Sequence, residues 1–183
     1  FGLSAGLPVV LILGGSLGAG SINSCLLENI GLMKVSECQW LWQTGKLYYE
    51  KISESLSGSD TRKISVHGFI DRMDMAFAAA DIIVSRAGAG TISELCLVGK
   101  PVILIPSPNV AEDHQTKNAM ALAGRNAALV IPDKEISELL VPEALKLVAD
   151  RERRESFARN ISAMAERNAD RRIAEMVIKL AGK

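Results

Sequence analysis

The chain has 183 residues, 48% of them hydrophobic, enough to bury a substantial core, and its length suits one domain better than two. Lys and Arg total 21, as do Asp and Glu, so no global basic field exists to draw in nucleic acid or acidic lipid. The longest apolar runs, such as Leu7 to Leu13, fall far short of the ~20 residues that span a bilayer.

The chain opens at Phe1 without an initiator Met and enters a strand at Pro8, as a piece of a longer protein would. Short β-like runs then alternate with helical patterns. Strands are predicted at Pro8–Leu13, Gln39–Gln43, Lys63–His67, Asp81–Ser85, Pro101–Ile105 and Ala128–Ile131. Helices are predicted at Ser21–Met33, Lys46–Ser57, Met73–Ala79, Thr91–Val98, Gln115–Ala123, Ile136–Ala149, Arg151–Asn168 and Asp170–Leu180. The first, fourth and fifth strands are continuously apolar, the mark of central strands covered on both faces. The whole reads as a Rossmann-like, doubly wound parallel α/β sheet of about six strands, one domain over residues 1–183.

A strand order of 3-2-1-4-5-6 sets strands one and four side by side at a topological switch point, where a crevice opens at their carboxyl ends. The loops leaving those two strands, GGSLGAG and SRAGAGT, are the most glycine-rich stretches of the chain and would flank one crevice. Cys25, Cys38 and Cys96 form no C-x-x-C or His-paired set, which points to reduced thiols in a cytoplasmic setting and to no metal site. The dense charges from Arg151 to Arg172 mix signs at helical spacing, as a solvated helix face does.

The first loop supports two chemistries. Gly14-Gly15-Ser16-Leu17-Gly18 fits the G-x-S-x-G nucleophile elbow, while Gly14, Gly15, Gly18 and Gly20 ahead of a helix suit a phosphate cradle. Plain turn chemistry accounts for glycines too. A hydrolase needs a downstream acid and His and an oxyanion loop from an earlier strand. His67 and His114 are the only histidines, and no strand precedes this one. The dinucleotide fingerprint also fits poorly, because Gly18-Ala19-Gly20 leads into Ser21, Ile22 and Asn23, and the second strand ends in Gln43-Thr44-Gly45 without a ribose-binding acid. NAD is disfavoured.

In the second loop, Thr91-Ile92-Ser93-Glu94 reads as a T-x-x-E capping box. The small residues Gly88, Ala89 and Gly90 keep the approach open, and Glu94 could equally accept hydrogen bonds from a pair of ribose hydroxyls. In the segment after the fifth strand, the spacing puts His114, Gln115 and Asn118 on one side of a helix start. Gln115 carries an amide suited to a sugar hydroxyl. His114 suits packing or capping as well as chemistry, and Asp113 suits a helix cap.

Taken in order, GGSLGA with Asn23, HGFIDRM, ADIIVSRAGAGTISEL, GKPVILIPSP and HQTKNAMAL resemble the MurG family of bacterial glycosyltransferases. The likeness runs from about Leu7 to the end of the chain, its motifs concentrated between Gly14 and Leu122. It implies the C-terminal, nucleotide-sugar-binding half of a GT-B enzyme that moves N-acetylglucosamine from UDP-N-acetylglucosamine onto a lipid-linked muramyl-pentapeptide, forming lipid II for peptidoglycan. By this resemblance Ser16 contacts the donor diphosphate and Ile70 meets the uracil through its backbone. Ala89, Gly90, Thr91, Ile92, Ser93 and Glu94 cover the phosphates and ribose, with Glu94 on the ribose hydroxyls, and Gln115 binds the sugar. Gly15, Gly18, Asn23, Gly88, His114 and Asn118 complete the implied set.

The family is inverting and uses no cofactor and no metal in the donor site. Its N-terminal domain, which carries the candidate general base and the surface for the lipid-linked acceptor, is the implied partner. The full-length enzyme is expected as a peripheral protein on the cytoplasmic face of the inner membrane. A stand-alone UDP-sugar-binding subunit that works with a separate acceptor subunit is the alternative. In this fold the last helix commonly crosses back to the N-terminal domain, and Ile173, Met176, Val177 and Leu180 form an apolar stripe at helical spacing there.

Overall fold

The computed structural model describes residues 1–15, 17–108 and 113–182. Among them six strands, β1 (Val9–Leu13), β2 (Gln39–Gln43), β3 (Ile64–His67), β4 (Ile82–Ser85), β5 (Val102–Leu104) and β6 (Leu129–Val130), form one sheet. Its order is β3-β2-β1-β4-β5-β6 with every pairing parallel, as the alternating pattern predicts. The described helices are α1 (Gly20–Glu28), α2 (Ile30–Val35), α3 (Lys46–Leu56), α4 (Met73–Ala79), α5 (Ala89–Val98), α6 (His114–Ala123), α7 (Ile136–Ala149), α8 (Arg151–Ser162) and α9 (Ala169–Ala181).

Side chains of a strand alternate between faces, so the buried strands feed two cores. Val10 and Ile12 of β1 join Trp40, Trp42, Met33 and Phe157 on one face, under α1 and α7. Val9, Leu11 and Leu13 join the other, where six alanines, Ala76, Ala80, Ala87, Ala119, Ala127 and Ala128, leave room for α4, α5 and α6 to lie close against the sheet. Both indole N–H groups on the bulky face are satisfied: Trp40 Nε1 donates to Ser36 Oγ at 3.1 Å and Trp42 Nε1 to Asn23 Oδ1 at 2.9 Å. Burial of each large apolar side chain contributes about 1.5–3 kcal/mol, which makes these two layers the main source of stability.

Several boundaries differ from the sequence expectation. The single helix expected over Ser21–Met33 is broken at Asn29, whose Nδ2 donates to the Cys25 carbonyl at 2.9 Å and across to the Ser137 carbonyl at 3.1 Å. A side chain that competes for backbone acceptors in this way interrupts a helix. The helix expected to reach Asn168 stops at Ser162, just past Ile161, its last fully buried residue. There the N–H groups of Met164 and Ala165 turn to carbonyls three residues back. The last strand is shorter than expected and runs into a 3-10 turn at Asp133–Glu135.

The apolar stripe of α9 is present, and none of that helix is buried: Ile173, Met176, Val177 and Leu180 are 58–70% exposed. No described helix is long and apolar enough to cross a membrane.

Candidate functional site

Strands β1 and β4 pair with Leu13 opposite Ser85, so the two glycine-rich loops leave the sheet side by side. Between them lies a cavity of about 200 Å³. Gly14 and Gly15 line one side, and Ile70, Met73, Phe69 and Phe77 make an apolar wall. Thr91, Glu94 and Arg86 supply the polar wall. Lys46 rests over the Phe69 ring at 5.2 Å, at the rim of the apolar wall.

The first loop takes its shape from the turn after β2. The Gly14 N–H donates to the Gln43 carbonyl at 3.0 Å, and a Cβ on Gly14 would sit 2.8 Å from that same oxygen. Gly18, at φ +84°, lies against the Thr44 carbonyl and beneath the Tyr48 ring, where a Cβ would meet Tyr48 Cδ2 at 2.6 Å. Gly45, at φ +82°, leaves no room for a Cβ against the Gly18 amide. The two turns therefore interlock, backbone on backbone, as only glycines permit. Gly15 has a positive φ of +75° and open space around it, and it alone of these faces the cavity without a packing duty. Ser16, the residue on which the nucleophile and cradle readings diverge, lies outside the described residues.

Asn23 has a different task from the ligand contact expected of it. It is 2% exposed behind the loop, where Nδ2 donates to the Thr44 carbonyl at 2.9 Å and Oδ1 accepts from Trp42, so both ends of its amide are used. It holds the β2 turn against α1.

The second loop also departs from expectation. α5 begins at Ala89 with Gly88 as its N-cap, and no side chain caps it, so the T-x-x-E capping box is not formed. The helix starts two residues early because Gly88 and the small residues after it enter the helix directly. Thr91 thus sits at the third helical position and Glu94 in the second turn, exposed and lining the cavity. Ala89 and Gly90 are exposed at the helix start, where backbone N–H groups have no helical acceptor. Ile92 instead packs on the alanine-rich core, and the Ser93 hydroxyl donates to its own helix at the Ala89 carbonyl, 3.1 Å away.

Gln115 and Asn118 stand behind this loop and hold it. Gln115 Oε1 accepts from the Ala87 N–H at 3.2 Å and the Ser107 N–H at 2.9 Å, and Asn118 Nδ2 donates to the Ala87 carbonyl at 3.0 Å. His114 is exposed in the first turn of α6. Asp113 occupies the N-cap position but makes no capping bond; its backbone is left-handed at φ 55°, a conformation Asp tolerates. The structure thus gathers Gly15, Ile70, Thr91 and Glu94 around one cavity and puts Gln115 and Asn118 behind the second loop, on the Ala87 backbone.

Sequence reasoning passed over Arg86. Its guanidinium donates to Asp133 Oδ1 at 2.5 Å, to Ser21 Oγ at 2.7 Å and to the Ile105 and Pro106 carbonyls at 3.2 and 3.3 Å. The signal was a lone arginine between Ser85 and Ala87, both buried, since a charge in such a stretch demands a partner. Phe69, Met73 and Phe77 were also unassigned; they flank Ile70 in and after HGFIDRM, where an apolar wall looks like ordinary core in the sequence.

A family model described as the glycosyltransferase family 28 C-terminal domain matches residues 9–175. A Parabacteroides distasonis protein named UDP-N-acetylglucosamine--N-acetylmuramyl-(pentapeptide) pyrophosphoryl-undecaprenol N-acetylglucosamine transferase is 48% identical over 183 residues, 100% of this chain and 50% of its own length. The Porphyromonas gingivalis protein of the same name is 50% identical over 173 residues, 94% of this chain and 46% of its own. The crystal structure of Acinetobacter baumannii MurG superposes with a TM-score of 0.83 at 27% identity, covering 97% of this chain and 51% of that one. The chain spans about half the length of the curated relatives it matches.

Proposed function

This chain belongs to the C-terminal domain family of family 28 glycosyltransferases, and on that premise we propose that it is the donor-binding half of an inverting N-acetylglucosaminyltransferase acting on lipid-linked muramyl-pentapeptide. The observation that carries the reading is the cavity between the two glycine-rich loops, with an apolar wall on one side and the Glu94 carboxylate on the other. UDP-N-acetylglucosamine fits that arrangement chemically. The uracil lies against Ile70 and the aromatic wall, and Glu94 accepts hydrogen bonds from the two ribose hydroxyls.

The glycine loop and the start of α1 present backbone N–H groups and a positive helix end to the diphosphate. Ser16 is assigned to the same diphosphate by family resemblance. Gln115, its Oε1 engaged by the backbone, has its Nε2 donor to offer the sugar.

Such a half contributes orientation of the donor and stabilisation of negative charge on departing UDP, with no metal in the donor site. Inverting transfer also requires a base to deprotonate the acceptor hydroxyl. We assign that base and the acceptor surface to a second domain, against which the exposed stripe of α9 packs, and place the complete enzyme peripherally on the cytoplasmic membrane face.

Calorimetric titration of the chain tests this. UDP-N-acetylglucosamine should bind and NADH should not, and Glu94→Ala should weaken the donor by about tenfold or more, the worth of one charge-assisted hydrogen bond. No uridine nucleotide binding at millimolar ligand, or unchanged affinity in the Glu94 variant, would refute it.

A further inference from the structure

We infer that Arg86 is a positioning residue that sets the gap between the two glycine-rich loops where a diphosphate lies, an inference that rests on the donor-site reading. The guanidinium stands where four segments meet. Ser21, the second residue of α1, follows the first glycine loop, and Arg86 opens the second. Arg86 Nη2 donates to Ser21 Oγ at 2.7 Å, and Ser21 Oγ donates to Asp133 Oδ1 at 2.8 Å. Arg86 Nη1 closes the triangle on the same carboxylate oxygen and also meets the carbonyls at the end of β5.

The charged side chains are only 20% and 19% exposed, so the triangle is held largely out of water. Ionic hydrogen bonds of this kind are short and directional. Because Asp133 lies against Arg86, the arginine acts on an incoming anion chiefly through the placement of α1 and the second loop. A lysine has no planar fork with which to serve Asp133, Ser21 and two carbonyls together.

The neighbouring residue, Ala87, is held by Gln115 and Asn118 instead, so the loop has a separate anchor that does not involve α1. In the part of the cavity assigned to the nucleoside, Ile70 and the aromatic wall are built on other segments, and neither Ile70 nor Glu94 makes any of the triangle's bonds. Loss of the triangle should therefore be felt by the phosphates and spared by the nucleoside.

NMR titrations of the chain with uridine and with UDP read this difference, alongside thermal unfolding of each variant. Arg86→Lys should weaken UDP by about tenfold while uridine stays within about twofold. Ser21→Ala, which keeps the ion pair and removes the hydroxyl, should show about a threefold loss for UDP only, and it carries the test alone where Arg86→Lys does not fold. Equal losses for both ligands, or none for either, would overturn the inference while leaving the donor-site reading intact. A wild-type chain that binds uridine as tightly as UDP, or binds neither, would remove the diphosphate reading and this inference with it.

Discussion

Replacing Gly18 with alanine tests the interlock of the two turns most directly. At φ +84° a residue with a Cβ pays about 1–2 kcal/mol in backbone strain. The new methyl also falls 2.6 Å from Tyr48 Cδ2 and onto the Thr44 carbonyl, which is backbone and has little freedom to yield. Overpacking of this kind adds about 1–3 kcal/mol. The expected loss is thus about 2–5 kcal/mol, a large share of the ~5–15 kcal/mol that holds a domain folded.

Gly15→Ala is the matched control. Its φ of +75° carries the same strain, but no atom lies within 4 Å of the new Cβ, so only about 1–2 kcal/mol should be lost. Equilibrium urea unfolding of both variants, with slopes unchanged, gives the comparison. If Gly18→Ala loses no more stability than Gly15→Ala, the interlock is not holding the loop and the argument fails. Pairing Gly18→Ala with Tyr48→Ala should cost less than the sum of the two, because the ring is one of the atoms the methyl strikes.

Asn23→Ala leaves the Trp42 indole N–H and the Thr44 carbonyl without their partner in the interior; a loss of about 2–5 kcal/mol by thermal unfolding is expected, and one below about 1 kcal/mol would show the contacts to be replaceable. Burial holds the His67 imidazole below its ordinary pKa, so the unfolded chain takes up the proton first. The stability tied to His67 is therefore full above about pH 6.5 and is lost as pH falls through the folded value; His67→Gln should flatten that part of a melting-temperature profile, and superimposable profiles would count against it. Replacing both Ile173 and Leu180 with lysine should leave unfolding free energy within about 0.5 kcal/mol, because neither side chain is buried, while reducing self-association measured by light scattering.

The sheet order and the facing glycine loops were legible because they rest on periodicity and on connections of short range, and β1, β4 and β5 announce their central position by unbroken apolar runs. The roles of individual side chains were less so. Thr91 and Glu94 obey a capping rule in sequence, yet Gly88 in extended conformation starts α5 two residues sooner, and local pattern does not choose between the two starts. Asn23 was implied as a ligand contact by the family resemblance; its partners, Thr44 and Trp42, belong to the next strand and its turn. Arg86 and Asp133 meet only after the sheet has brought distant loops together, which leaves an isolated charge as the sole trace in the sequence.

The two faces of the sheet are not interchangeable in what they tolerate over evolutionary change. The tryptophan-bearing face can trade one large side chain for another of similar volume with modest loss. The alanine-rich face has less volume to trade: at Ala87, which is fully buried, an added methyl has to displace its neighbours. On that side lie α5 and α6, which carry Glu94 and Gln115. Substitution there would shift α5, which also lines the cavity, so the packing of this face and the width of the cleft are one property.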